Sequence, residues 1–420
     1  MTQTTMTPSA PAPSMRLQAA WLRHPADCLA VATAASLPWS TSATSILVGL
    51  WLLAIVPTLS LAGLKRVLAM PAASLPIVLL LLVAVGMLWA DVRWAERFDG
   101  ISAFLKLAVI PILIVQFRQS DRGRHVLAGF LSSSTLLLLL SWILVLLDPI
   151  DPNFVWQPKQ FGIPVKDYIS QSAIFAICAF ALLDQALTVW SEGRRRLAVT
   201  ALILALLFLA NIVFVATSRT TLAIIPVLLV LWGLLRLGPK RTIVLLTASC
   251  VLVAIAWVSS PYLRFRVLHL VEEVQQQYRD PTVETSAGDR IAFWTMSMAA
   301  IREAPVFGHG TGSIGESFRR LGSATAVNPH NQIFAVGIQL GLVGILVLIA
   351  MWAAHVRLFF DSLHVAWPGL VVVTQNIVGS LFNSHLSDFT HGWIYVFGVG
   401  VVGGMLLRIR TVDGWTDPVL

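Results

Sequence analysis

Long apolar runs separated by short polar interruptions fill nearly the whole chain, and this pattern predicts its architecture. A helix needs roughly 20 apolar residues to cross a bilayer, and about twelve runs approach that length. The pattern therefore predicts an all-α polytopic membrane protein, with one long polar segment between the ninth and tenth spans. The predicted spans are 26–41, 43–63, 70–90, 100–117, 124–147, 168–190, 197–217, 219–236, 242–260, 330–353, 363–383 and 389–407.

Basic residues collect in alternate loops, for example at Lys65 and Arg66 and again at Lys240 and Arg241. Such loops stay in the cytoplasm, so both termini are predicted to be cytoplasmic and the long polar segment is predicted to be exported. The predicted organisation is a disordered cytoplasmic tail at 1–25, nine spans within 26–260, a helix-containing exported loop at 261–329, three spans within 330–407 and a cytoplasmic tail at 408–420.

Composition supports the membrane class. Hydrophobic residues make up 57% of the chain and charged residues only 12%, whereas a soluble domain carries about 25% charged residues. The net charge of +8 follows from the basic loops, so no nucleic-acid partner is predicted. The three cysteines show no CxxC spacing, and the chain has no phosphate-loop, HExxH or exported DxD motif. We therefore predict no cofactor and no metal.

The exported loop contains two predicted helices. The stretch "YLRFRVLHLVEEVQQQY" has an apolar stripe at helical spacing and predicts an amphipathic helix against the membrane face. The stretch "DRIAFWTMSMAAIRE" predicts a second helix, after which Pro305 and several glycines break the chain.

A histidine opens the tenth predicted span, in "PHNQIFAVGIQLGLVG". Asn328 suits an N-cap and Pro329 the first helical position, which places His330 in the first turn. The positive helix N-terminus favours neutral imidazole, the form a general base needs. The alternative is an interfacial histidine that only hydrogen-bonds a neighbour. Glycines on the same helical face predict a close helix contact and an inward-facing histidine; they are Gly337, Gly341 and Gly344.

Arginines are the second group of candidates. Arg219 lies alone in a tight outer turn between two apolar runs, and the exported loop has arginines but no lysine. The planar guanidinium suits bidentate phosphate binding, and Arg290 shares a predicted helix face with Trp294. Arg264 and Arg266 are further candidates. The alternatives are contacts with lipid head groups for Arg219 and ordinary salt bridges for the others.

These residues together resemble the O-antigen ligase family. The family pattern H-[NSQ]-x9-G-x-x-[GTY] is matched by His330-Asn331, Gly341 and Gly344. The turn "SRTTL" and the loop segments "GDRIAFW" and "PVFGHGTG" look like the family's arginine- and glycine-bearing segments.

The resemblance implies a glycosyltransferase in the bacterial inner membrane. Such a ligase transfers a glycan from undecaprenyl diphosphate to the lipid A–core oligosaccharide at the periplasmic face, without a metal and with inversion. The partners implied are the lipid-linked donor, the lipid A–core acceptor and membrane lipids; the oligomeric state stays open. An O-antigen polymerase and a protein-directed glycan ligase are alternatives of the same class. A lipid or glycan transporter is the alternative from another class.

The resemblance also implies roles for the candidate residues. His330 would act as general base, and Arg219 and Arg290 would bind the diphosphate. Substrate contacts are expected from Asp388, which would orient His330 or an acceptor hydroxyl, and from further residues. These further residues are Arg264, Arg266, Asn331 and Trp294.

Overall fold

The computed structural model describes residues 13–147, 162–279, 285–323, 326–360 and 363–412. All regular elements within these ranges are helices, so the all-α prediction is confirmed. In chain order they are α1 (Pro13–Ser36), α2 (Thr41–Ile55), α3 (Leu61–Leu68), α4 (Pro71–Gly86), α5 (Trp94–Ser102), α6 (Val109–Gln119), α7 (Gly123–Leu147), α8 (Tyr168–Ser191), α9 (Arg195–Phe214), α10 (Arg219–Trp232), α11 (Pro239–Ser259), α12 (Pro261–Arg279), α13 (Ser286–Glu303), α14 (Ile314–Arg320), α15 (Gln332–Phe360), α16 (Leu363–Ser380) and α17 (Phe389–Val412).

The described helices include eight candidate membrane spans, or up to ten if bent pairs count as one span each. The eight are α2 with the turn after it, α7, α8, α9, α10 with the turn after it, α11, α15 and α17. The bent pairs are α3 with α4, at 91°, and α5 with the segment through α6, at 43°. The apolar part of α16, Val365–Ser380, is shorter than a usual span. The chain is therefore a multi-pass membrane protein, but the predicted count of about twelve is not confirmed.

The first helix differs most from its prediction. Helix α1 begins at Pro13, within the segment 1–25 that was predicted to be a disordered tail, and ends at Ser36. Proline suits a first helical position and the following leucines and alanines favour a helix, so the prediction of disorder is wrong from Pro13 onward. This helix, which contains polar residues such as Arg23, His24 and Asp27, is not among the candidate membrane spans.

The two ends of the bundle differ. Helices α6 and α17 run in parallel, since Gly400 lies against Leu113 and Gly404 against Phe117. Their carboxyl ends therefore meet at one end of the bundle, which we call the opposite end. The other end carries the turns at 304–331 and 381–388, and we call it the loop end.

Helix α15 is broken at Gly341, where φ is +62°. The loop after α13 fills the break: the backbone N–H groups of His309 and Gly310 donate to the carbonyls of Ile338 and Gln339 at 2.8 and 2.9 Å. In return, the first two N–H groups after Gly341 donate to carbonyls of that loop. A broken membrane helix is tolerated where its freed backbone groups find such partners. The loop is therefore anchored into α15.

Candidate functional site

The prediction that His330 lies in the first helical turn is wrong. Helix α15 begins at Gln332, and the cap is Asn331, whose Oδ1 accepts the N–H groups of Ile333 and Phe334 at 2.9 and 3.2 Å. His330 lies in the turn before the helix, with φ of +50°. The predicted cap, Asn328, instead accepts the backbone N–H of His330 at 2.9 Å. A residue other than glycine is uncommon in this left-handed region, and such strained residues cluster at functional sites.

Two glycines of α15 contact the segment between α12 and α15, one against a loop and one against a helix. Gly341 lies against Val306 and Gly308 of the loop, and Gly337 lies against Ile301 of α13. The glycines were predicted to contact another membrane helix. Gly337 and Gly341 instead anchor the segment that follows α12. His330 still faces protein, because its half-buried ring stacks on Phe293 of α13, with 6.3 Å between ring centroids.

A single hydrogen bond fixes the proton arrangement of the His330 ring. Its Nδ1 lies 3.1 Å from Oδ1 of Asn383, and the same oxygen accepts the backbone N–H of Ser384 at 2.9 Å. A backbone N–H can only donate, so this atom of the amide is the oxygen and the ring Nδ1 must be the donor. The neutral ring therefore carries its proton on Nδ1 and has a lone pair on Nε2. No described residue hydrogen-bonds that nitrogen.

The surroundings of His330 favour the neutral ring. Burial lowers the pKa of its imidazole, the hydrogen bond that the ring donates to Asn383 opposes that effect, and the charge of Arg290 lowers the pKa further. Asp289 acts weakly in the other direction, and the net result is a pKa below the ordinary histidine value. His330 is therefore neutral at pH 7 and able to accept a proton.

Arg290 brings a positive charge without a described ion pair to this centre. It lies half-buried on α13, three residues before Phe293, which stacks on His330. Within the described ranges no hydrogen bond or ion pair holds its guanidinium. Burial lowers the pKa of Arg290, and the nearby charge of Arg219 lowers it further. The charge of Arg219 thus affects the pKa of Arg290, and the charge of Arg290 affects the pKa of His330. The structure therefore brings the three predicted catalytic residues close together.

Arg219 is already paired. It is the first residue of α10, and its two terminal nitrogens each donate to a carboxylate oxygen of Glu273 on α12 at 2.9 Å. The two side chains are 18% and 8% exposed, and His269 lies 2.7 Å from the same carboxylate. The Nε atom of Arg219 is buried and has no hydrogen-bond partner in the described structure. The guanidinium therefore joins two helices and still has donors directed elsewhere.

The other predicted arginines are less well placed. Arg264 donates from one terminal nitrogen to the carbonyls of Trp257 and Val258, at 2.7 and 2.5 Å, and so caps the end of α11. These contacts give Arg264 a structural role, and its predicted phosphate contact stays a prediction. Arg266 lies on α12, and its side chain is outside the described part of the structure.

The remaining predicted substrate contacts have other partners. Asn331, besides capping α15, donates to the carbonyl of Leu381 at 3.0 Å. The ring of Trp294 packs against Phe334, with 6.1 Å between centroids. Both contacts hold the start of α15 in place.

No hydrogen bond joins Asp388 to His330 in the described structure, so the structure does not support an orienting role for Asp388 at that ring; its predicted contact with an acceptor hydroxyl stays a prediction. Its carboxylate instead accepts the Nδ1 and backbone N–H of His391 at 2.7 and 2.8 Å. Burial acts to raise the pKa of Asp388, but His391 and the charge of Lys106 together hold it well below its usual range. The orienting role belongs to Asn383, five residues earlier in the same turn.

Sequence reasoning missed three side chains of this centre. Asn383 and Tyr168 were not singled out, and Glu273 was only one of several loop acids. The structure brings Tyr168 close enough to Arg290 to act to raise the pKa of the arginine. These residues lie on α8, α12 and the turn before α17, and no spacing in the sequence connects them. Only tertiary packing identifies them.

A polar cleft of about 440 Å³ adjoins the centre between α5 and α14. The hydroxyl of Ser384, which lines it, donates to Asn328 at 2.7 Å, and Asn328 in turn binds the backbone of His330. A single turn of chain therefore separates the cleft from the histidine. The other polar residues of its lining are Glu96, Asp99, Glu316, Arg319, Gln339 and Ser387.

The fold and this centre define a multi-pass helical membrane protein with a cationic, histidine-containing site at one end of its bundle. Residues 203–349 match the family model described as O-antigen ligase. The match runs from α9 into α15 and contains Arg219, Arg290 and His330, so the family resemblance is confirmed over that segment. At family level it indicates activity of the O-antigen ligase or polymerase type. No curated protein matches the chain.

Proposed function

We propose that the protein transfers an O-antigen glycan from undecaprenyl diphosphate to the lipid A–core oligosaccharide. One observation carries this proposal: a neutral histidine with a free Nε2 lies beside an arginine that has no described ion-pair partner. Transfer of a sugar from a lipid diphosphate needs these two functions, a base for the attacking hydroxyl and a positive charge for the leaving phosphate.

The reaction proceeds as a direct displacement. An acceptor hydroxyl gives its proton to Nε2 of His330 while its oxygen forms a bond to the anomeric carbon of the donor. The bond from that carbon to the diphosphate oxygen breaks, and its electron pair leaves with the diphosphate. Attack from the side opposite the leaving group inverts the anomeric centre. General-base catalysis typically accounts for about 10²–10⁴-fold in rate.

Arg290 is the main diphosphate ligand in this mechanism, because its whole guanidinium is available. Arg219 supplies the donors that Glu273 leaves unused and holds α10 and α12 in register. Charged donors fixed before the reaction stabilise the growing negative charge without reorganisation. This chemistry needs no metal.

The polar cleft between α5 and α14 is the proposed acceptor site. Its carboxylates, amides and hydroxyls are the groups that hydrogen-bond sugar hydroxyls. Its wall at Asn328 and Ser384 also shapes the His330 turn. An acceptor sugar in this cleft would lie next to the base.

The proposed location is the bacterial inner membrane, with the loop end in the periplasm and both termini in the cytoplasm. Arginines cluster at the opposite end, as at Arg66, Arg118 and Arg408. Positively charged ends face the cytoplasm, which supports this orientation.

An O-antigen polymerase is the second candidate, because the family match supports activity of the ligase or polymerase type without distinguishing them. It differs only in its acceptor, which would be another lipid-linked glycan. A protein-directed ligase differs in the same way, and a transporter would need no base at all.

The test uses purified protein with undecaprenyl-diphosphate-linked glycan, EDTA, and either lipid A–core or a second lipid-linked glycan as acceptor. We expect glycan on the lipid A–core and none on the other acceptor. Elongation of the lipid-linked glycan would overturn the ligase in favour of the polymerase. Binding of the donor without any covalent product on either acceptor would point to a transporter.

A further inference from the structure

A second cationic site lies at the opposite end of the bundle. It is a half-open cleft of about 540 Å³ to which three helices contribute one arginine each: Arg66 from α3, Arg118 from α6 and Arg408 from α17. These arginines are far apart in sequence, so the packing of α3, α6 and α17 brings them together. The cleft plays no part in the chemistry proposed at His330.

The lining of the cleft is suited to an anion. It includes the hydroxyl of Ser60 and the amide of Gln119, and no acidic residue of the described chain lines it. Val115 forms part of its floor. Three guanidinium groups without a lining carboxylate make a local positive field that attracts negative charge.

Two of the arginines are anchored by backbone contacts. Arg408 donates from one terminal nitrogen to the carbonyl of Gln119 at 2.9 Å, and Arg66 donates from Nε to the carbonyl of Ala62 at 3.3 Å. Each contact uses one of the five N–H donors of a guanidinium. The remaining donors are therefore held in place and available for a phosphate oxygen.

Two lining residues of the cleft are followed in sequence by exposed apolar residues. Leu61, which follows Ser60, is 79% exposed, and Ile409, which follows Arg408, is 39% exposed. A free anion needs no such neighbours, whereas a phospholipid has acyl chains that would cover them. The site thus combines a phosphate-binding head with a flanking surface for hydrocarbon.

The arginines where α8 meets α9 provide a comparison at the same end of the bundle, because they have only ordinary surface contacts. Arg194 lies 3.9 Å from Glu192, and Arg195 stacks over Trp190 at 5.8 Å from the ring centroid. These exposed arginines, together with Arg196, belong to a single turn. The three-arginine cleft differs because its arginines come from three helices and converge.

We propose that this cleft binds the phosphate of an anionic phospholipid head group, in the leaflet opposite His330. Basic pockets between membrane helices recognise such head groups through charge and hydrogen bonds, and the arginine fork matches phosphate geometry. The bound lipid would hold the ends of α3, α6 and α17 together.

Native mass spectrometry of delipidated, full-length protein tests this site. The probes are cardiolipin, phosphatidylethanolamine as a zwitterionic lipid, and inorganic pyrophosphate as a free anion. The variant is Arg66→Gln/Arg408→Gln, and the matched control is Arg194→Gln/Arg196→Gln, which removes two positive charges from the same end. We expect wild type and control to bind cardiolipin and the cleft variant to bind it at least about tenfold more weakly.

A second variant, Arg66→Lys/Arg408→Lys, keeps the charge and guards against a folding defect. We expect its cardiolipin affinity to lie between those of wild type and the glutamine variant. Equal cardiolipin binding by wild type, cleft variant and control would overturn the proposal. Binding of pyrophosphate but not cardiolipin at the cleft would also overturn it, because the ligand would then be a soluble anion. Donor binding at the loop end is unaffected in either case, so this test is independent of the proposed glycan transfer.

Discussion

The functional centre depends on how a few side chains divide their hydrogen bonds. Asn383 receives the N–H of Ser384 and that of the His330 ring, and so fixes which ring nitrogen can accept a proton. Glu273 occupies one side of Arg219, while Arg290 has no such partner in the described chain. The base is therefore defined by the ring nitrogen that carries the proton. The cation is defined by a guanidinium that no described ion pair occupies.

The first prediction concerns Asn383. Replacing it with Asp puts a negative charge on the ring Nδ1–H, which raises the pKa of His330 and moves the acidic fall in activity to higher pH. Replacing it with Leu removes a hydrogen bond that raises the pKa, so this fall moves to lower pH. In wild type, activity decreases as the pH falls through the lowered pKa of His330, because the protonated ring cannot accept a proton.

The measurement is kcat/KM as a function of pH for the three proteins. We also expect Asn383→Leu to lower the plateau by about tenfold or more, since the wrong tautomer becomes accessible. Three profiles with the same midpoint would show that Asn383 does not act through His330.

The second prediction separates two arginines. Arg290→Gln removes the proposed diphosphate ligand, and we expect donor binding to weaken by roughly 10- to 100-fold, as expected for charged hydrogen bonds of about 1.5–3 kcal/mol. Arg264→Gln is the matched control, because Arg264 caps α11 and should leave donor affinity nearly unchanged. Titration of both variants with the lipid diphosphate donor measures this. An equal loss in both would contradict the assignment of Arg290.

At the scale of elements, the broken helix α15 explains why glycine-rich segments occur at both 308–312 and 337–344. The carbonyls freed at the break accept N–H groups from the loop, and the loop carbonyls accept those of α15. This exchange positions α13, and with it Arg290, against His330. A continuous apolar run of the sequence does not reveal such a break, because its hydropathy is unchanged.

The third prediction tests that break. In Gly341→Ala the new methyl group would meet the backbone of Val306 at 2.4 Å, at a φ of +62°. Gly193→Ala has a φ of +79° but open space around it, so it shares the backbone strain without the clash. We expect Gly193→Ala to cost about 1–2 kcal/mol and Gly341→Ala to cost a further 1–3 kcal/mol or so from overpacking.

Thermal unfolding in detergent measures the difference between these two alanine variants. We expect the lower midpoint for Gly341→Ala, together with a loss of transfer activity that Gly193→Ala does not show. Similar midpoints would mean that the loop is not anchored at the break.

At the scale of the whole molecule, the sequence was enough for the class but not for the count of spans. Only 12% of the residues are charged, so much of the protein surface must face lipid. This conclusion does not depend on which helices cross the membrane. The count of about twelve is not confirmed, because α1 and α16 are not among the candidate spans of the described chain, and apolar residues packed inside a bundle look like those facing lipid.

The candidate site shows the same division. His330 and Arg219 were identified because polar groups at the ends of apolar runs need an explanation, and Arg290 because the long polar segment has arginines but no lysine and Arg290 shares a helix face with Trp294. Asn383, Glu273 and Tyr168 are ordinary residues in their own segments, and only the packing of α8, α12 and the turn before α17 around the site gives them a role. Sequence thus identified the groups that carry charge and chemistry, and the structure identified those that orient them.

The fourth prediction concerns orientation. Cysteines are introduced singly as Ser102→Cys at the loop end and Ser191→Cys at the opposite end, both exposed, in a chain without its three native cysteines. A membrane-impermeant maleimide should label Ser102→Cys in cells with an opened outer membrane and Ser191→Cys only after lysis. The reverse pattern would place the proposed active site in the cytoplasm.

The most direct test of the account is a single-turnover comparison of wild type with His330→Ala, at saturating donor and acceptor. We predict that the variant binds the lipid diphosphate donor as tightly as wild type, because Arg290 is intact, and that its transfer rate is lower by about 10²–10⁴-fold. A folded His330→Ala variant that transfers glycan at the wild-type rate would contradict the account, because the proton of the acceptor would then have another base.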